Sequence, residues 1–187
     1  MKKYKIIYAD PPWSYDDKMV GHMGAEGIYN TQGLKWIKSL KVNDISEPNA
    51  VLFLWVVSPL LPEAFEVIKE WGFKYKTVAF CWSKINKQGK EVCNLGRWTM
   101  GNIELCLLAT KGQPHRKIKN IKQLVIAPRT VHSRKPQEVR NRIVELMGDL
   151  PRIELFARGK RDKDLFGNNK FDGWDVWGNE VECDIEL

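Results

Sequence analysis

The chain has 187 residues, of which 43% are hydrophobic and 11% aromatic, and its formal net charge is +7. This length and apolar content predict one folded domain over residues 1–187 with a sizeable core. No apolar run approaches the roughly 20 residues of a membrane span, and the N-terminal apolar stretch is too short for a signal peptide. We therefore expect a cytoplasmic protein without a membrane partner, and the positive charge favours nucleic acid as its partner.

The chain alternates between predicted strands and predicted helices. The strands are expected at residues 4–9, 51–57, 77–82, 103–109, 124–126 and 152–156. The helices are expected at residues 34–40 with Thr31 as the cap, from Ser58-Pro59 to Gly72, and from Pro136 onwards. Strands separated by helices predict an α/β fold, in which a mostly parallel central sheet carries helices on both faces.

Ligands of such sheets bind beyond the carboxyl ends of the strands. Asp10 follows the first strand, Ser58 the second and Arg158 the last. We therefore expect these three residues to converge on one crevice.

The most informative local pattern is Asp10-Pro11-Pro12-Trp13, directly after the first strand. Two successive prolines lack backbone N–H groups and fix φ, so they end the strand and hold the chain in one extended shape. The Asp10 carboxylate, the Pro11 carbonyl and the Trp13 ring are then displayed on a stiff tip. Two acceptors and a flat apolar face suit a flipped nucleobase held by its exocyclic amine. A rigid turn with an N-capping aspartate is the structural alternative.

Such a tip fits methylation of the amine. The lone pair of an exocyclic amine is delocalised into the ring, so the nitrogen is a poor nucleophile. If Asp10 and the Pro11 carbonyl each accept one amine hydrogen, the lone pair turns towards an electrophilic methyl group, while Trp13 stacks on the base. The base must leave its helix or start single-stranded. This chemistry does not separate adenine from cytosine.

The four cysteines point away from two other chemistries. None lies in a CxxC pair, so we expect no zinc site and no other metal site. None follows a proline, as the attacking thiolate of cytosine-C5 methyltransferases does.

Six further segments accompany the tip in a fixed order, at residues 51–55, 97–99, 104–112, 127–136, 152–158 and 173–180. With them, nearly the whole chain resembles the Asp-Pro-Pro-Trp adenine-N6 methyltransferases, the family of the catalytic subunit of the eukaryotic mRNA adenine methyltransferase. The forms His-Ser-Arg-Lys-Pro and Gly-Trp-Asp-Val-Trp-Gly-Asn-Glu are most similar to the phage and bacterial branch, which implies DNA as the substrate.

The resemblance implies a Rossmann-like methyltransferase fold with a permuted motif order, and S-adenosylmethionine as the methyl donor. It implies that Asp10 also approaches the methionine amine and that Lys135 reaches the methionine carboxylate or the target nucleotide. Arg158 would hold the ribose region, and Asn179 and Glu180 the ribose hydroxyls and the adenine of the donor.

Two aromatic residues also receive roles from the resemblance. Tyr29 would close over the site, and Trp55 would line the base pocket. Each of these roles has a structural alternative. Trp55 could be a core residue, Lys135 could stand at the entry to a helix, Arg158 could belong to a basic patch, and residues 179–180 could form a simple turn.

The resemblance leaves other activities open. The alternatives are RNA adenine-N6 methylation, DNA cytosine-N4 methylation and a catalytically retired nucleic-acid-binding subunit. The oligomeric state is also open, with a homodimer and a heterodimer as the alternatives. Two basic clusters, residues 111–122 and 158–163, are candidates for phosphate contacts. No G-x-G-x-x-G pattern is present, so donor binding is not expected to use a standard glycine loop.

Overall fold

The computed structural model describes residues 2–14, 33–96, 98–129, 134–159, 171 and 173–187. The strands in this part of the chain are β1 (Tyr4–Ala9), β2 (Ser46–Val56), β3 (Lys74–Ile85), β4 (Ile103–Lys111), β5 (Leu124–Pro128), β6 (Arg152–Leu155) and β7 (Asp175–Trp177). The helices are α1 (Leu34–Ser39), α2 (Val42–Ile45), α3 (Leu61–Glu70) and α4 (Gln137–Met147), and a 3₁₀ turn (Ser58–Leu60) precedes α3.

All seven strands form one sheet in the order β5-β3-β4-β2-β1-β6-β7. The pairs β1–β2, β1–β6, β3–β5 and β6–β7 are parallel, whereas β4 is antiparallel to both of its neighbours, β2 and β3. The predicted mostly parallel sheet is therefore confirmed, with one reversed strand in its interior. Because β4 is reversed, its first residues lie at the same edge as the last residues of the other strands.

Helices cover both faces of this sheet, as predicted. Side chains alternate along β2, so Leu52 and Leu54 pack towards α1, α2 and α3, whereas Phe53 and Trp55 pack towards α4. All four side chains are fully buried. The continuous apolar run of β2 thus reflects a strand with a core on each side. Within the described residues, no helix has the length and apolar character needed to span a membrane.

Several element boundaries differ from the prediction. Gly33 is the N-cap of α1 and makes no side-chain cap hydrogen bond, so the expectation of a Thr31 cap was wrong; Thr31 itself lies outside the described residues. Ser58 and Pro59 begin a 3₁₀ turn rather than the helix. Pro136 is the N-cap of α4 and leaves its first helical position to Gln137. The short strand β7 was not predicted, since only its central residue Val176 is fully buried.

Candidate active site

The ends of neighbouring strands bring the predicted residues to one edge of the sheet. β2, β1, β6 and β7 are consecutive and parallel, so Ser58, Asp10, Arg158 and Glu180 follow strand ends that lie side by side. The reversed strand β4 adds Glu104, its second residue, to the same edge. This edge is called the catalytic edge below.

The Asp-Pro-Pro-Trp segment is fastened at its last residue. The Trp13 backbone N–H donates to the Pro11 carbonyl at 2.8 Å, and the Trp13 indole Nε1–H donates to the Trp55 carbonyl at 2.9 Å. Pro11 is buried, whereas Pro12 and Trp13 are partly exposed. The two hydrogen bonds fix the indole across the end of β2. They add to the stiffness that the two prolines give to the tip.

Asp10 belongs to a chain of four alternating charges. Lys135 Nζ lies 2.6 Å from Asp10 Oδ2 and 3.2 Å from Glu104 Oε2. Lys84 Nζ lies 2.5 Å from Glu104 Oε1. The four side chains are from 9% to 24% exposed, with Lys135 the most buried and Asp10 the least. We call Lys84, Glu104, Lys135 and Asp10 the charge chain.

The sheet pleat explains why these charges meet. Asp10 lies two residues beyond Tyr8 on β1, Glu104 two residues before Cys106 on β4, and Lys84 two residues beyond Trp82 on β3. Tyr8, Cys106 and Trp82 are all buried on the face that packs against α4. A period of two therefore places the charges on that same face, where the core reaches the catalytic edge.

The charge chain shifts the pKa values of its members. Burial raises the pKa of Asp10, and the nearby Glu104 carboxylate adds to the rise against the lowering effect of Lys135. Burial also acts to raise the pKa of Glu104, but the Lys135 and Lys84 ammonium groups hold that pKa below its ordinary value. Burial alone would lower the pKa of Lys135, yet the Asp10 and Glu104 carboxylates raise it. Lys135 is therefore a permanent cation at neutral pH.

Two tryptophan rings lie beneath the ammonium groups. Lys135 Nζ is 5.5 Å from the centre of the Trp55 ring, and Lys84 Nζ is 5.3 Å from that of Trp82. Such contacts favour a cation over the ring face. Trp55 is fully buried and donates its Nε1–H to the Tyr8 hydroxyl at 2.7 Å. Trp55 thus supports Lys135 from below, and its contact with a base stays a prediction.

The residues predicted to hold the donor lie beside one another. The ladder between β6 and β7 continues past both strands, with Arg158 opposite Glu180. The Ala157 N–H donates to the Trp177 carbonyl at 3.0 Å, and the Gly159 N–H to the Glu180 carbonyl at 3.2 Å.

A glycine keeps this turn close to its neighbour strand. A Cβ at Gly178 would overlap the Ala157 carbonyl oxygen, so only glycine lets the turn approach so closely. The side chains of Asn179 and Glu180 beyond it are exposed.

A buried ion pair supports the site from the α4 side. Arg140 Nε donates to Glu154 Oε2 at 2.7 Å, and Arg140 Nη2 donates to Glu154 Oε1 at 2.6 Å. The guanidinium also lies 5.8 Å from the centre of the Tyr8 ring. This bidentate pair joins α4 to β6, two elements that lead to Lys135 and Arg158.

Sequence reasoning gave no role to four of these residues, namely Lys84, Glu104, Arg140 and Glu154. Each is a charged residue at an inward position of an otherwise apolar strand or helix face, which is the signal that identifies them. For Glu104 that signal becomes useful only when β4 is known to be antiparallel, because a parallel β4 would place Glu104 at the opposite edge.

The remaining predicted residues either lie outside the described part of the chain or lie at another edge of the sheet. Tyr29, and Lys160, Arg161 and Lys163 of the second basic cluster, lie outside the described residues. The first basic cluster, residues 111–122, leaves β4 at the opposite edge, because Lys111 pairs with Ala50 near the start of β2. There it borders a groove of about 1130 Å³ that is also lined by Lys5, Glu47 and Asp149. This cluster is therefore not part of the candidate site.

Comparison of the sequence with known proteins matches the chain to one family. The MT-A70 family model matches residues 4–180. The Type II methyltransferase M.MunI of Mycoplasma sp. is 36% identical, over 96% of this chain and 78% of its own length. The N(6)-adenosine-methyltransferase MT-A70-like protein of Arabidopsis thaliana is 28% identical over 95% of this chain and 24% of its own length.

The human N(6)-adenosine-methyltransferase catalytic subunit METTL3 is 27% identical over 96% of this chain and 28% of its own length. The chain thus spans most of the bacterial relative but only about a quarter of these two eukaryotic ones. The match to the family model covers every strand described above, including the Asp-Pro-Pro-Trp tip and the turn after β7. The chain therefore belongs to the MT-A70 family and is a methyltransferase.

Proposed function

We propose that this protein transfers a methyl group from S-adenosylmethionine to the exocyclic N6 amine of adenine in DNA. The observation that carries the proposal is the Asp10 carboxylate, placed on the fastened Asp-Pro-Pro-Trp tip and held at 2.6 Å by Lys135. The similarity to a Type II methyltransferase, along most of both chains, supports DNA over RNA. The names of the eukaryotic relatives support adenine N6 as the methylated atom.

The donor set at the catalytic edge fits S-adenosylmethionine. Asn179 and Glu180 offer amide and carboxylate oxygens, which suit ribose hydroxyls, and Arg158, three residues beyond β6, pairs with Glu180 through the backbone. Asp10 offers a carboxylate for the methionine ammonium, and Lys135 an ammonium for its carboxylate. Gly178 permits a close approach of the turn after β7 to Ala157, which keeps Asn179 and Glu180 beside Arg158.

The chain's own residues then prepare the amine for attack. Asp10 accepts one N6 hydrogen through its carboxylate, while Lys135 holds Oδ2 in place. The Pro11 carbonyl accepts the second hydrogen with its other lone pair, since one lone pair already receives the Trp13 N–H. Trp13 stacks on the base plane, a contact worth about 1–3 kcal/mol. Most of the acceleration comes from this orientation of the reacting groups.

Bond changes and proton balance are simple in this scheme. S-adenosylmethionine, when bound, would supply a methyl group from a positively charged sulfur, so that one S–C bond would be exchanged for the new N6–C bond. Methylation makes the N6 nitrogen acidic, and its surplus proton passes to Asp10 and then to solvent. The raised pKa of Asp10 suits this step, because a more basic carboxylate accepts the proton more readily.

The test is the product formed by purified protein. Duplex DNA, single-stranded DNA and RNA are each incubated with methyl-labelled S-adenosylmethionine, and the nucleosides are separated by mass spectrometry. We expect N6-methyldeoxyadenosine from DNA, at a yield above that of any RNA product. A product that is mainly N4-methylcytosine, or mainly methylated RNA, would contradict the proposed substrate.

The role of Asp10 is tested by a separate variant, Asp10→Asn. Asp10→Asn keeps the size of the side chain but removes its charge, so the amide can no longer serve as a proton acceptor. We expect turnover to fall by at least about 100-fold, the scale of general acid–base catalysis, with unchanged circular dichroism. Turnover close to that of the native protein would refute the assigned role of Asp10.

A further inference from the structure

The connection between β3 and β4 carries an exposed apolar tip, formed by the described residues 95, 96 and 98–101, which we call the hairpin tip. Trp98 is 98% exposed, Leu95 is 95% exposed and Met100 is 61% exposed. Other exposed large apolar side chains in the described part of the chain, such as Phe65 at 42% and Ile126 at 59%, retain more cover. Isolated apolar residues are common on protein surfaces, but a tip made of three large ones indicates contact with another molecule.

The hairpin tip is attached firmly to the catalytic edge. The Lys84 N–H donates to the Asn102 carbonyl at 3.0 Å, and Asn94 and Gly101 exchange two backbone hydrogen bonds of 2.8 and 2.9 Å. Ile85 pairs with Glu91, so the chain turns back directly after β3, and the Asn94–Gly101 pair is the stem of a second, small hairpin that leads into β4. A Cβ at Gly96 would overlap the Thr99 carbonyl oxygen, so the turn that carries Trp98 is tight.

The short chain segment between the tip and Glu104 limits how far the tip can extend from the charge chain. Trp98 lies six positions before Glu104 in the chain, which limits the distance between their Cα atoms to about 22 Å. Lys84 and Glu104, where the hairpin begins and ends, are the two members of the charge chain that lead to Asp10 through Lys135. The hairpin tip therefore lies within about 22 Å of the charge chain, a distance that a nucleic acid bound at Asp10 can span.

The charges around the tip suit a polyanion. The connecting segment, residues 86–102, carries Lys87, Lys90 and Arg97 against one acidic residue, Glu91. The described residues Lys87 and Lys90 are exposed, and the whole chain has a net charge of +7. Phosphates attract such a segment, whereas a second copy of the same cationic protein is repelled by it.

We infer that the hairpin tip enters duplex DNA beside the target adenine, where Trp98 stacks on the base pairs that the departing adenine exposes. This inference rests on the proposed function, since it assigns the means by which the base is extruded from a duplex. Extrusion requires unstacking and unpairing, and an inserted apolar side chain compensates for part of the lost stacking. Leu95 and Met100 then cover the neighbouring sugar edges and exclude water.

The inference predicts a loss that depends on the substrate. The methylated sequence is first mapped in genomic DNA treated with the native protein, and duplexes with that sequence are then prepared. Trp98→Ala is expected to lower kcat/KM on the fully paired duplex by roughly 5- to 150-fold, which is the loss of one base–aromatic stack. On single-stranded DNA, or on a duplex with an abasic site opposite the adenine, we expect a change below about 3-fold, since little remains to be unpaired.

A second readout is independent of methyl transfer. A duplex with 2-aminopurine at the target position increases its fluorescence when the base leaves the stack. The increase seen with the native protein should be largely lost with Trp98→Ala and largely restored with Trp98→Phe. Phe65→Ala, which removes an exposed aromatic ring on α3, is the matched control and should leave both readouts unchanged. Because Trp98 is almost fully exposed, thermal melting should not change.

Three results would overturn the inference. These are an equal loss on paired and single-stranded DNA, no loss on paired DNA, and a change of oligomeric state in sedimentation that accompanies the loss. The last result would assign the hairpin tip to a protein interface. Failure of the proposed function is distinguishable from all three, because the native protein itself would then produce no N6-methyldeoxyadenosine in DNA.

Discussion

Replacing Glu104 with glutamine tests whether the charge chain stabilises the fold. The change is nearly isosteric, but it removes the carboxylate between Lys135 at 3.2 Å and Lys84 at 2.5 Å. At an effective dielectric constant of 20, each contact has a gross attraction of about 5–7 kcal/mol. Desolvation offsets most of this gain, so the net loss is that of breaking a buried pair, about 3–5 kcal/mol.

The loss is measured by urea unfolding at pH 7 with circular dichroism. For a protein of this length, 3–5 kcal/mol corresponds to a melting temperature lower by about 6–20 °C. Glu138→Gln is the matched control, because Glu138 pairs with Arg142 one turn along α4 and is 47% exposed. We expect that control to cost at most about 0.5 kcal/mol. A loss below about 1 kcal/mol for Glu104→Gln would refute the stabilising role of the charge chain.

The same variant has a defined pH dependence. Because the folded protein holds the pKa of Glu104 below its ordinary value of 4.5, the Glu104 contribution is fully present above pH 4.5. It is lost as the pH falls through the lower folded pKa, so the stability difference between the native protein and Glu104→Gln should narrow in acid.

Activity should respond to the variant in a second way. The Glu104 carboxylate helps to raise the pKa of Asp10, so its removal lowers that pKa. The acid limb of the kcat/KM profile should therefore move to lower pH. If the acid limb of the kcat/KM profile does not move, Glu104 does not influence the pKa of Asp10 in this way.

Two other substitutions test the supports of the site. Gly178→Ala places a Cβ against the Ala157 carbonyl oxygen, and we expect it to lower the free energy of unfolding by about 1–3 kcal/mol. The same variant should bind S-adenosylmethionine more weakly in calorimetry. An unchanged affinity would show that the turn at Gly178 does not belong to the donor site. Arg140→Met leaves the buried Glu154 carboxylate without its bidentate partner and should lower the free energy of unfolding by about 3–5 kcal/mol. Adding Glu154→Leu should recover most of that loss, and a double variant as unstable as the single one would contradict this account.

The fold was predictable where one principle decided the outcome. The apolar run of β2, buried on both sides, gave the parallel character of the sheet and its helices on both faces. The direction of β4 was not predictable in this way, because a strand such as Ile103–Lys111 has the same composition whichever way it runs. Its direction follows from pairing with β2 and β3 over long sequence separations, which local patterns do not encode.

The site was predictable to a different degree. Asp10 and Trp13 were identified from local stiffness, and Lys135, Arg158, Asn179 and Glu180 from family resemblance; the structure places all of them at one edge, and their roles stay predictions. Lys84 and Glu104 were not identified, since their function depends on tertiary neighbours. A lysine or glutamate in a strand suggests a solvated position until the pleat shows that it faces the core.

The reversed strand β4 also constrains how the chain assembles. It lies between β2 and β3, so among the described strands of the first 85 residues only β1 and β2 have each other as native neighbours. A nascent or truncated chain that ends before residue 103 must leave one side of β2 and both sides of β3 unpaired, and unpaired strands of this kind recruit other chains. The synthesis of nine residues, Ile103–Lys111, then joins two separate halves of the sheet at once. Fragments cut within residues 86–102 should therefore aggregate singly and recover solubility when the two halves are expressed together.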